Sequence, residues 1–142
     1  MSKTTHTYWN VFASENKSEW EEVPDSEGRM WQLTLAMDKT NGNFTRLTRF
    51  AAGCDTRAAG IKMHTYPEEI FVVSGRLYDV AAGKWLEAGH YASRPPGEPH
   101  GPFVCDEECI VLEISYPGHK PIRPYLEYRP GHESGNNHLI KR

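Results

Sequence analysis

Three residues able to share one divalent cation stand in two short segments of this 142-residue chain. His64 and Glu68 lie in Lys62-Met63-His64-Thr65-Tyr66-Pro67-Glu68-Glu69, and His100 ends Arg94-Pro95-Pro96-Gly97-Glu98-Pro99-His100. Neutral imidazole and anionic oxygen together suit zinc or a non-haem iron. Side chains alternate across an extended strand, so a strand through the first segment carries His64, Tyr66 and Glu68 on one face. Glu69 then points outward to solvent or an ion pair, and stands as the alternative to Glu68. In the second segment the Pro-Pro-Gly turn is stiff and holds His100 at a fixed angle. Ligand sets need that stiffness, because their geometry must hold to within about half an ångström. Tyr66 and Tyr91 read by themselves as ordinary amphipathic residues of a sheet.

The elements that must position these residues are strands. Trp31, Leu33, Leu35 and Met37 alternate with Gln32, Thr34 and Ala36, Asn41-Gly42-Asn43 is a turn, and Phe44 to Phe50 resumes the extension, so the pair reads as a hairpin. Ile70 to Val73, Leu77 to Val80, Lys84 to Leu86, His90 to Arg94 and Cys109 to Ser115 follow, separated by glycine and proline. Short strands at this spacing predict an all-β sandwich or barrel. No helical period stands out. Residues 1–25 mix Trp9, Phe12 and Trp20 with acids and read as an N-terminal arm. Residues 116–142 hold Pro117, Pro121, Pro124 and Pro130 and read as an extended C-terminal tail.

Taken together the two segments resemble the motifs of the cupin superfamily, G-x5-H-x-H-x3/4-E-x6-G and G-x5-P-x-G-x2-H-x3-N. The second is matched by Gly89, Pro95, Gly97 and His100, with Val104 where its Asn belongs. The first is matched by His64, Glu68 and Gly75, but Lys62 occupies the place of its first His, and Gly53 sits too early. The resemblance implies a jelly-roll barrel (a double-stranded β-helix) spanning residues 1–142 as one domain, with His64, Glu68 and His100 as metal ligands. A protonated lysine does not ligate a metal and repels it. The set is therefore a two-His-one-carboxylate triad, or is completed by Tyr66, Glu69 or His90, or has lost its metal.

Composition bounds what such a barrel can do. Hydrophobic residues make up 38% and charged residues 25% of the chain, with a net charge of −3 and both signs interspersed. A basic stripe for nucleic acid and a polybasic membrane patch are both missing, as is the run of ~20 apolar residues a membrane span requires. Residues 1–6 lack the apolar core of a signal peptide, so a cytoplasmic location is expected. Cys54, Cys105 and Cys109 are odd in number and too few for a closed zinc site, which takes about four ligands, so they read as buried thiols. His6, His119, His132 and His138 fall in the terminal segments and carry no site expectation.

Within the cupins the wording looks closest to small anti-sigma-factor zinc cupins and to diketone-cleaving dioxygenases. That likeness implies a non-haem Fe(II) dioxygenase acting on a small diketone or aromatic ketone. Phe44, Phe50, Phe71 and Phe103 would be wall residues, Lys62 a charge partner for an enolate, and Tyr66 a further candidate. A non-catalytic zinc- or ligand-binding sensory cupin is the alternative, and a metal-assisted isomerase or lyase the third reading. The expected partners are a small-molecule substrate or ligand and a second copy of the chain as a homodimer, with no nucleic acid and no membrane.

Overall fold

β-branched and aromatic runs broken by glycine and proline fold into nine strands in the computed structural model, which describes Lys3 and residues 8–117. These are β1 (Glu21–Glu22), β2 (Met30–Met37), β3 (Phe44–Phe50), β4 (Glu68–Ser74), β5 (Arg76–Asp79), β6 (Lys84–Glu87), β7 (Tyr91–Arg94), β8 (Phe103–Val104) and β9 (Cys109–Ser115). A six-stranded sheet runs β1-β2-β3-β9-β4-β7, and a three-stranded sheet runs β6-β5-β8. Every pairing is antiparallel. The expected β2–β3 hairpin is present, closed through Asp38 and Asn43. Among the described residues helix is limited to two 3-10 turns, Ser14–Glu19 and Arg57–Ala59. The expected tail lies outside the described residues from position 118 on, as do His6, His119, His132 and His138.

The space between the sheets is apolar at one end. Phe50, Ile70, Val72, Cys109 and Val111 project from the large sheet onto Leu77 and Leu86 of the small one, and Cys54 and Cys105 join them from the connections. Burial pushes all three thiols up, Cys109 to about 12. Gly75 turns the chain from β4 into β5 with φ of 69°, and a Cβ there would lie 1.9 Å from the Glu108 carbonyl oxygen. Only glycine fits so close a backbone approach. At the opposite end the same strands turn polar. Phe50, Thr48 and Arg46 succeed one another along the inner face of β3, Val111 gives way to Glu113 on β9, and Ile70 to Glu68 on β4.

The apolar row of β2 does not face this interior. Pairing places Met30 and Gln32 beside Phe50 and Thr48 on the inner face, while Trp31 and Leu33 lie outward beside Arg49 and Leu47. A register irregularity between Thr34 and Ala36 breaks the alternation, and Met37 ends up exposed. Trp20 of the N-terminal arm packs on that outer face: the Arg49 guanidinium sits 5.7 Å from the ring centroids of both Trp20 and Trp31.

Candidate metal centre

A short two-stranded clip assembles the site. Lys62 N–H donates to the His100 carbonyl at 2.9 Å, and His100 N–H returns the bond to Lys62 at 3.0 Å. Three residues back, Gly97 N–H donates to the His64 carbonyl at 2.8 Å. Pro96 and Gly97 are the central residues of a turn closed by Glu98 N–H on the Pro95 carbonyl, and Gly97 has φ of 83°, as a type II turn requires. The stiff turn expected from the sequence is thus also the anchor of the His64 backbone.

His64 is not on a strand. β4 begins at Glu68, and residues 63–67 form a bend, so strand alternation does not align His64 with Glu68. Pro67 has no N–H to extend the ladder. The clip to residues 97–100 and stacking on Tyr66, 4.6 Å between centroids at 9°, orient His64 instead. Alternation does hold within β4: Glu68 is buried on the inner face, and Glu69 points out, accepting hydrogen bonds from the Tyr91 and Tyr116 hydroxyls. Glu69 therefore neither enters the site nor pairs with Lys62. His90 is also elsewhere, exposed in the turn before β7, where its Nδ1 accepts from Glu87 N–H at 2.8 Å.

The three remaining candidates converge. His64 Nε2 lies 3.1 Å from His100 Nε2 and 3.8 Å from Glu68 Oε2, and one ligand atom from each residue falls within 4.8 Å of the others. Two ligands each about 2.1 Å from one ion lie at most ~4.2 Å apart, so the two imidazoles fit a shared cation. His100 Nδ1–H donates to the Glu98 carbonyl at 3.2 Å, which leaves its Nε2 a bare acceptor facing the site. Burial, and then Arg94, depress the His100 pKa to about 4, so the imidazole is neutral and ligand-competent at neutral pH. Tyr66 is half-buried, and desolvation followed by the Glu68 charge raises its phenol pKa, which keeps it protonated.

The walls are more polar than the sequence led us to expect. A cavity of about 70 Å³ is lined by His64, Glu68 and His100 together with Lys62, Gln32, Arg46, Thr48, Arg94 and Glu113, and by Phe50 and Phe103. Phe71 is 43% exposed on the outer face, and Phe44 lies outside this cavity under the Arg46 guanidinium, so neither is a wall residue. Arg94 stands opposite Glu68 in the β4–β7 ladder and binds it at 3.1 Å, with Asp79 3.6 Å away on its other side. Asp79 in turn accepts from Gly101 N–H at 2.9 Å, tying the loop after His100 to the same ion group. Arg46 and Glu113, paired across β3 and β9, form a second ion pair. Sequence reasoning missed Arg46, Asp79, Arg94 and Glu113. The available signal was a lone charge at an inward position of an apolar strand, as Glu113 is within Ile110-Val111-Leu112-Glu113-Ile114.

Two antiparallel sheets closing on a histidine-bearing polar mouth define a cupin. The family model of the ChrR cupin-like domain matches residues 10–117, and the chain belongs to that family. Among solved structures it resembles an RmlC-like cupin from Shewanella frigidimarina, with a TM-score of 0.60, 21% identity and coverage of 81% of this chain and 94% of the other. An acetylacetone dioxygenase from Acinetobacter johnsonii gives 0.58 at 17% identity, covering 80% and 77%. The Rhodobacter sphaeroides complex of SigE with the anti-sigma ChrR gives 0.53 at 19% identity, covering 68% of this chain and 49% of that one. Identities this low establish a shared fold. Comparison with curated proteins returns no match.

Proposed function

We propose that this cupin is a metal-dependent enzyme, a non-haem Fe(II) dioxygenase cleaving a small diketone, with His64, Glu68 and His100 holding the metal. The observation that carries the reading is the cluster of three donor atoms within 4.8 Å on the wall of a cavity. Two imidazoles and one carboxylate leave coordination positions open, which oxygenase chemistry requires. When bound, the metal supplies Lewis acidity and a site for dioxygen. The chain's own residues do the rest. Arg94 holds the Glu68 carboxylate, Glu98 fixes the His100 tautomer, and Gln32 and Thr48 offer polar contacts to a bound oxygen atom. The small polar chamber favours a diketone over an aromatic ketone. Protein loaded anaerobically with Fe(II) should consume oxygen when given acetylacetone, and an iron-loaded sample with no uptake would overturn the oxygenase reading.

A second reading, a non-catalytic zinc cupin, is favoured by membership of the ChrR cupin-like family. Tightly held zinc with no turnover would support it. We also propose one domain and a homodimer. Phe71, Val73 and Tyr91 are exposed together on the outer face of β4 and β7, and light scattering that finds only monomer would rule out the dimer.

A further inference from the structure

We propose that the ligand of this pocket is a small β-dicarbonyl compound bearing a carboxylate, and that Lys62 is the residue that meets that carboxylate. The proposal rests on the metal reading above and deepens it. Lys62 and His100 face each other in an antiparallel bridge, exchanging both backbone hydrogen bonds. Directly opposed residues in such a pair project to the same face, so the Lys62 side chain leaves the backbone on the side of the His100 imidazole. Both line the same cavity.

Charge then decides what the cavity accepts. Arg46 is paired with Glu113, and Arg94 with Glu68 and Asp79. Among the described residues no acid lies within ion-pair distance of the Lys62 ammonium. Three cations, Lys62, Arg46 and Arg94, stand against four carboxylates, Glu68 and Glu113 in the wall and Asp79 and Glu98 beside Arg94. A divalent metal adds two positive charges, and the group is then net positive even with all four carboxylates ionised. Glu68 and His100 are 3% and 4% exposed, so this excess is poorly screened by water. An anionic ligand resolves the imbalance, and a neutral diketone does so only by ionising. A cavity of about 70 Å³ admits a head of a few heavy atoms, which fits a carboxylate beside a second carbonyl. Lysine suits the rim because its ammonium is a compact point charge on a flexible stem that reaches inward from an exposed position.

Calorimetry with two stable probes of one skeleton, malonate and malonamide, tests this on Zn(II)-loaded protein. Replacing Lys62 by Met should weaken malonate about tenfold or more, the scale of a lost charge-assisted hydrogen bond, and leave malonamide unchanged. Lys62→Arg should retain most of the malonate affinity. Equal malonate affinity in wild type and Lys62→Met overturns the proposal, as does inorganic phosphate binding more tightly than malonate in a Lys62-dependent way. Metal content is measured on the same samples. A wild-type protein that takes up no zinc overturns the metal reading alone, and the Lys62 dependence is then read on metal-free protein. A malonate difference of the same sign there sustains the role of Lys62, and its absence ends it.

Discussion

The two ends of the barrel interior are built from the same strands and hold together by different physics. At one end Ile70, Val72, Leu77 and Val111 interlock without polar atoms, and burial from water is the stabilising term. At the other, two to four residues further along each strand, Arg46, Glu68, Arg94 and Glu113 are held by charge and direction. Burying ions there adds little net stability, because their attraction mainly offsets desolvation. The polar end instead secures orientation, which a ligand set needs and an apolar core does not supply.

Substitutions that separate the two ends test that contrast. His100→Ala has the largest expected effect: bound metal falls from one per chain to none by elemental analysis, while circular dichroism still reports the fold. A variant that retains its metal would remove His100 from the ligand set. Leu77→Ala does the reverse, costing about 3 kcal/mol in denaturant unfolding through a lost core side chain and its cavity. Its metal affinity stays as in wild type, and a parallel loss of metal would show that the ends are not independent. Arg94→Met removes the partner that aims Glu68 and lowers metal affinity about tenfold, the scale of an outer-shell loss. Replacing Glu68 by Gln beforehand should make Arg94→Met nearly silent toward metal, and an undiminished effect would mean that Arg94 acts by another route.

The smallest effect belongs to the thiols of the apolar end. Their folded pKa values lie above the ordinary value of 9.0. Below pH 9 folded and unfolded chains both keep these protons, so the thiols add no pH dependence. Above it the unfolded chain releases protons that the folded chain retains, and stability falls as pH rises toward the folded values. A thiol reagent at pH 8 should therefore label none of the three until denaturant is added, and labelling of native protein would show that this end opens.

Much of the scaffold was legible because it rests on period-two patterns and turn chemistry. Ile70 to Val73 and Cys109 to Ser115 read as strands without ambiguity, and Pro95-Pro96-Gly97 announced its turn. The convergence of His64, Glu68 and His100 was legible through motif spacing. The route by which His64 arrives was not, because a bend clipped by Gly97 to a segment more than thirty residues away leaves no local pattern. The polar walls were obscured for a related reason: Arg46 and Arg49 look alike in sequence, and only strand register sends one inward to Glu113 and the other outward between two tryptophans.

Those cross-strand ion pairs also bear on how the chain avoids misassembly. Sliding β7 along β4 by two positions keeps every side chain on its proper face, so apolar burial alone penalises such an error weakly. It would, however, set Glu68 against Ala92 and strand a buried carboxylate without its guanidinium. The same holds for β3 on β9, where the slip parts Arg46 from Glu113. Each pair acts as a key that favours one alignment of two strands, and it needs no metal to do so.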